Sequence, residues 1–218
     1  MGRLAPGGRP KAILFDLDRV LIDSRRAWCY AIEESVLATC GERVVAEPLV
    51  AEYHTRPLRH ALSIVVPDRQ RLPACVDLCS RILDRSALKR LLVFDGVAMA
   101  LDAMRDTTVE VGVVSRHPHR LARLHIESTG LDRFLAVLAA APEGTWNLDA
   151  QLRQCCDFLE VEASRALYVG LSEHTSAARA LGFGALCAAW AEADPAPGED
   201  ALATPADLPR LIGAAYSR

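Results

Sequence analysis

Two carboxylates one residue apart, Asp16 and Asp18, follow directly on the apolar run Ala12, Ile13, Leu14 and Phe15. A carboxylate can act as a nucleophile and split one hard displacement into two easier ones, while a neighbouring carboxyl carries a proton to the leaving group and then from water. The apolar run reads as a buried strand of an open α/β sheet, and ligands bind such sheets beyond the carboxyl ends of their strands. Asp16 therefore stands where chemistry is expected. A solvated turn would account for two acids, but not for the ordered apolar residues Leu17, Val20 and Leu21 around them. A second strand end of this kind is Val111, Gly112, Val113, Val114 and Ser115, where a hydroxyl and the amide donors of a following helix suit an oxyanion.

The elements that must position these groups are legible as a change of period. Residues 25–90 carry apolar positions at helical spacing, as in Ala31, Ile32, Val36 and again in Val76, Cys79, Ile82 and Leu83, with no strand pattern among them. From Gly96 onward helices are predicted at 99–105, 118–129, 148–159 and 173–181, alternating with strands at 109–114, 135–139, 166–169 and 185–188. This alternation predicts an α/β fold, a doubly wound parallel sheet, with an all-helical insertion after the first strand. The expected organisation is a flexible tail over 1–10, an α/β core over 11–24 and 91–218, and a helical domain over 25–90. The Pro- and Gly-bearing stretch 193–199 reads as a surface loop and 206–214 as a closing helix.

Composition narrows the partners. A chain of 218 residues with 51% hydrophobic content can bury one core plus a smaller accessory unit. A net charge of −3 leaves no footprint for nucleic acid, and no apolar run reaches the roughly 18 residues of a membrane span. Neither nucleic acid nor membrane is expected as a partner, and with no secretory leader pattern at the start the expected location is cytoplasmic. Seven cysteines show none of the paired spacing of a zinc site and read as reduced core thiols. Positive charge is almost all arginine, Lys11 and Lys89 being the two lysines.

The segment from Asp16 to Ser24 resembles motif one of the haloacid dehalogenase superfamily, whose phosphatases carry Asp, any residue, Asp, Gly, then Thr or Val and Leu. Arg19 stands where the family has its turn glycine. The helical insertion after the first strand is similar to the cap of the phosphoglycolate phosphatase branch, so the resemblance spans almost the whole chain. It implies that Asp16 is the nucleophile that takes the phosphoryl group, that Asp18 is the acid and base, and that both belong to a Mg2+ site. It also implies that the cap excludes water, with 53–60 facing the site. Motif two is matched by Ser115, with Arg116 in place of the usual asparagine; His117 and His119 beyond it read as capping and exposed groups.

Motifs three and four depart from the family. The lysine expected before the helix at 148 is missing, and Trp146 stands about where it should be. The two acids expected after Gly170 are replaced by Leu171 and Thr175, with Glu173 the nearby carboxylate, read as an acid of the first helical turn behind a Ser172 cap. Magnesium needs near-octahedral oxygen coordination, so binding at Asp16 and Asp18 alone is expected to be weak. Without the metal or the lysine, each pair of like charges about 4 Å apart costs about 4 kcal/mol at an effective dielectric near 20. Arg19 and Arg116 are the candidates to neutralise them and, with Ser115, to bind phosphate or another anion.

The leading expectation is a hydrolase-like fold whose Mg2+-dependent phosphatase activity is lost or greatly reduced, and which serves as an anion-binding or protein-interaction module. The alternative is an active phosphatase of small phosphorylated metabolites, working through an Asp16 aspartyl-phosphate with a rebuilt metal site. A weaker one is a metal-free 2-haloacid dehalogenase.

Overall fold

The computed structural model describes residues 10–53, 58–105, 107–142, 146–191, 195 and 198–216. In chain order its strands are β1 (Ala12–Asp16), β2 (Ile22–Asp23), β3 (Leu92–Val93), β4 (Glu110–Pro118), β5 (Val137–Ala141), β6 (Ala166–Gly170), β7 (Gly184–Ala188) and β8 (Ala201–Leu202). The helices are α1 (Arg25–Cys40), α2 (Glu47–Tyr53), α3 (Leu58–Val65), α4 (Leu72–Leu83), α5 (Val97–Met104), α6 (His119–Thr129), α7 (Leu148–Leu159), α8 (Ser172–Ala180) and α9 (Asp207–Tyr216).

The main sheet has the order β5-β4-β1-β6-β7-β8 with every pairing parallel. All five residues of β1 are buried, as a strand with neighbours on both sides and helices over its faces must be. The chain runs from β1 outward through β4 to β5, then returns to β6 beside β1 and continues to the other edge. The strand order reverses at β1, and open α/β sheets place their ligands in the crevice at such a switch point. The fold is thus the expected doubly wound α/β sheet.

Register decides which side chains meet. Leu14 pairs with Gly112 on β4 and with Tyr168 on β6. These residues share one sheet face, as do Asp16 and Gly170 two places further on, because side chains alternate along a strand. On this face Leu14, Val114 and Tyr168 pack with Leu148, Leu152 and Cys155 of α7 and Ala178 of α8. The opposite face is equally dry, with Ile13, Phe15 and Val113 fully buried.

β4 runs four residues beyond the expected 109–114. Ser115 pairs with Ala140, the register then shifts, and the next pair is Pro118 with Ala141. The irregularity takes up Arg116 and His117 and re-aims both side chains, the usual effect of a bulge near a site. Pro118 is still extended (φ −53°, ψ 146°) at the end of the ladder and takes the N-cap position, so α6 opens at His119 instead of at 118.

The chain divides into two compact units, Met1–Asp23 with Val93–Arg218, and Ser24–Leu92. The second unit is built of helices. α1 buries Trp28, Ala31, Ile32 and Val36 and ends on Gly41 in the left-handed conformation (φ 75°), whose N–H bonds to the Leu37 carbonyl. α4 packs on α1, and the Cys75 thiol lies 3.6 Å from the Ser35 hydroxyl. Most of the expected tail (residues 1–9), residues 54–57 of the cap segment expected to face the site, and residues 193, 194, 196 and 197 of the expected loop lie outside the described residues.

All seven cysteines are free thiols. Five are buried, whereas Cys29 and Cys40 are only half-buried and so do not belong to the core as expected. Burial pushes the Cys79 and Cys155 thiols up to about 12, which removes their thiolate at neutral pH. Among the described residues no helix is long and apolar enough to cross a membrane.

Candidate active site

Asp16 ends β1 at the switch point and is 8% exposed. Its Oδ2 accepts a hydrogen bond from the Tyr168 hydroxyl at 2.7 Å and lies 3.0 Å from His174 Nδ1. The first contact follows from register. Tyr168 shares a face with Gly170, and its ring lies along β6 over that glycine to reach the end of β1. A Cβ built at Gly170 would stand 2.1 Å from the Tyr168 hydroxyl oxygen and 2.2 Å from its Cζ. Burial, and then the Asp16 carboxylate, hold the Tyr168 hydroxyl well above the ordinary tyrosine value, so it remains a donor.

His174 lies in the first turn of α8, the helix that follows β6, the strand next to β1. Its Nε2 is 2.7 Å from Arg116 Nη2. A guanidinium donates only, so Nε2 accepts, and the ring proton sits on Nδ1, facing Asp16. The chain of contacts runs Arg116, His174, Asp16, with Tyr168 as the second donor. Arg116 is held from below by Trp146, its Cζ 4.1 Å from the ring centroid, and the Trp146 ring stands 4.9 Å from that of His174. The residue standing where a lysine was expected thus seats an arginine instead.

Glu173 does not face Asp16 in any recorded contact. Its Oε1 is 3.3 Å from His174 Nε2, 3.6 Å from Arg116 Nη2 and 4.0 Å from Arg19 Nη1. The carboxylate is half-exposed and balances two guanidinium groups. Ser172 is not the cap expected of it. Leu171 occupies the N-cap position, while the hydroxyls of Ser172 and Thr175 both donate to Glu199, a residue the sequence did not single out.

Asp18 faces elsewhere. After β1 the chain turns back through Leu17 N–H to the Val114 carbonyl, Arg19 N–H to the Ile22 carbonyl and Ile22 N–H to the Leu17 carbonyl. This turn carries Asp18 Oδ2 to within 2.8 Å of His117 Nε2, with His125 Nδ1 4.0 Å from Oδ1. His117 is therefore buried instead of capping or exposed, because the irregular end of β4 turns it inward; His119, two residues on, is exposed as expected. His125, from the buried face of α6, was not foreseen.

Arg19 adopts φ 67°, the left-handed conformation for which the glycine was expected. The conformation costs a non-glycine residue about 1–2 kcal/mol, partly offset by the freedom a glycine loses on folding. Arg19→Gly is expected to raise stability by about 0.5–1 kcal/mol, or about 2 °C in Tm. Calorimetry checks this, and a lower Tm would mean that the contacts of the Arg19 side chain, Glu173 among them, outweigh the backbone strain.

Ser115, at 3% exposure, accepts at its Oγ from His117 N–H at 3.2 Å, and its carbonyl accepts from Gln151 Nε2 at 2.7 Å. These bonds pin the end of β4 against α7. The structure thus groups Asp16 with Tyr168, His174, Arg116 and Trp146, and Asp18 with His117 and His125. In the chain Ser115 immediately precedes Arg116 and His117, one from each group.

Comparison with known proteins places the chain in a family. The model of the haloacid dehalogenase-like hydrolases matches residues 13–186, most of the chain, and the protein belongs to that family. Among solved structures it is similar to a HAD-superfamily hydrolase of subfamily IA, variant 1, from Geobacter sulfurreducens PCA (TM-score 0.78, 21% identity, covering 97% of this chain and 100% of that one). It also resembles a protein described as a predicted phosphoglycolate phosphatase from Haemophilus somnus 129PT (0.80, 13%, 92% and 97%). A third is a haloacid dehalogenase-like family hydrolase from Streptococcus pneumoniae (0.74, 14%, 96% and 99%). Among curated proteins none matches. At these identities the likeness to solved structures is one of fold.

Proposed function

We propose that this family member has lost Mg2+-dependent phosphomonoesterase activity and uses the crevice beyond β1 to bind a small oxyanion, such as a phosphorylated metabolite. The observation that carries this reading is the double capping of Asp16 Oδ2 by Tyr168 and His174. Both neighbours present hydrogens to the carboxylate, whereas a magnesium ion there needs further oxygens. Leu171 is apolar and buried, and Thr175 is turned to Glu199. Glu173 is held by two arginines. The residues around Asp16 do not fit magnesium. The same contacts weigh against a rebuilt metal site with Glu173 as ligand.

The oxyanion reading rests on Arg116 and Arg19, which meet at the Glu173 carboxylate. An incoming phosphate takes the place of that carboxylate against the same two guanidinium groups, whose planar donors suit it. Glu173→Gln is therefore expected to tighten binding of inorganic phosphate about 2- to 5-fold, the size of a part-exposed ion pair, and Arg116→Ala to weaken it. Titration calorimetry reads both. The phosphatase half of the proposal is tested with a broad panel of phosphomonoesters at high protein and Mg2+. Turnover that disappears in Asp16→Asn overturns it.

A further inference from the structure

The second aspartate defines a separate cluster. Asp18, His117 and His125 offer one carboxylate oxygen and two ring nitrogens that all lie within 4.8 Å of one another. They come from three elements: the turn after β1, the irregular end of β4 and the buried face of α6. Both histidines are buried and Asp18 is nearly so. Hydrogen bonding does not account for His125. His125 Nδ1 is buried without a hydrogen-bond partner among the described residues and points to Asp18 Oδ1 from 4.0 Å. The two rings meet edge-on, with centroids 5.2 Å apart, and exchange no hydrogen bond. An unsatisfied buried nitrogen costs about 1–3 kcal/mol, and native proteins keep few of them.

One cation satisfies all three groups at once. With metal–ligand bonds of about 2.0–2.2 Å, tetrahedral donors stand roughly 3.3–3.5 Å apart. The 2.8 and 4.0 Å separations from Asp18 bracket that value, and no two of the three ligand atoms are more than 4.8 Å apart, so side-chain shifts of about an ångström close the site. Two imidazoles and one carboxylate select a borderline transition metal over magnesium or calcium, which take oxygen. We propose that Asp18, His117 and His125 form a site for one transition-metal cation of the zinc class, with the fourth position open to water or an anion. Burial keeps the His125 ring neutral at physiological pH, as a ligand must be. The site is distinct from the Asp16 cluster, and does not depend on the oxyanion reading.

The test is a titration of the chelator-treated full-length protein with Co2+, read by its ligand-field absorption and by calorimetry, with Zn2+ as competitor. One equivalent is expected to bind, with a tetrahedral spectrum free of thiolate charge transfer, and to raise Tm. His125→Leu and His117→Gln are each expected to weaken binding at least about 100-fold, more than the loss of an outer partner does. His119→Ala, an exposed change on the same helix, leaves it intact. His125→Leu removes an unsatisfied buried nitrogen, so the metal-free variant stays folded; His117→Gln is the second reading if it does not. No binding with Co2+ in large excess overturns the proposal. So does a thiolate spectrum, binding that persists in both histidine variants, or binding lost in Asp16→Asn in their place.

Discussion

Gly170→Ala is expected to destabilise the protein by about 3–5 kcal/mol and to lower Tm by about 10–15 °C. The added methyl would enter the Tyr168 ring edge, 2.1 Å from the hydroxyl oxygen, 2.2 Å from Cζ and 2.5 Å from Cε1. These are atoms of a fully buried ring packed among Leu14, Val114, Leu152 and Ala178, not the free end of a flexible side chain. The ring must shift, and in shifting it gives up its 2.7 Å bond to Asp16. Overpacking costs about 1–3 kcal/mol, and a lost hydrogen bond to a charged group about 1.5–3. Tyr168→Phe isolates the second part, because it keeps the shape and removes the oxygen. Tyr168→Ala in the Gly170→Ala background is expected to cost less than the two single changes added, since the clash is shared. Urea and thermal unfolding measure all four proteins; a Gly170→Ala Tm within about 2 °C of the parent contradicts the packing argument.

Acidifying the metal-free protein from pH 7 to pH 4 is expected to remove about 3 kcal/mol of stability through His125 alone. Burial, and then the neighbouring His117, push His125 from 6.5 down to about 4, against the opposing pull of Asp18. Between these values the unfolded chain holds a proton on this ring and the folded chain does not. Protonation therefore favours unfolding as the pH falls, and the penalty is absent above about 6.5 and complete below about 4. His125→Leu removes that part of the slope. The check is chemical denaturation at stepped pH with chelator present; equal pH slopes in parent and His125→Leu refute the assignment. With a cation bound, the loss sets in with proton competition for the ligand and is steeper.

The sheet was legible because its strands are short apolar runs at regular spacing and its helices fall between them, so both the α/β class and the position of Asp16 followed from pattern. Asp18, Arg19, Ser115 and Arg116 were legible from motif spacing. Tyr168, His174, His117 and His125 were not. Tyr168 reads as one more apolar residue of β6, and its reach to Asp16 depends on the pairing of Leu14 with Tyr168, a register no local pattern records. The signal that existed was Gly170, two places on and on the same face. His174 reads as a first-turn residue of α8, and only the placement of β6 beside β1 brings it to Asp16. His117 and His125 are separated by a strand–helix junction whose irregular pairing turns one ring inward. Here a compositional signal was present, since three of the six histidines fall within nine residues. The left-handed turn at residue 19 was expected from the glycine position, but the partner of its arginine was not.

Asp16 and Asp18 stand one residue apart in the chain, yet each is committed to its own set of partners. The two positions therefore drift independently: substitutions around Asp18 leave the donors on Asp16 in place, and the reverse. Building an oxygen-lined centre at Asp16 calls for concerted change, because removing Tyr168 opens a void over Gly170 and removing His174 strands the Arg116 guanidinium on Trp146. Each single step toward it passes through a less stable protein, so the arrangement is a ratchet.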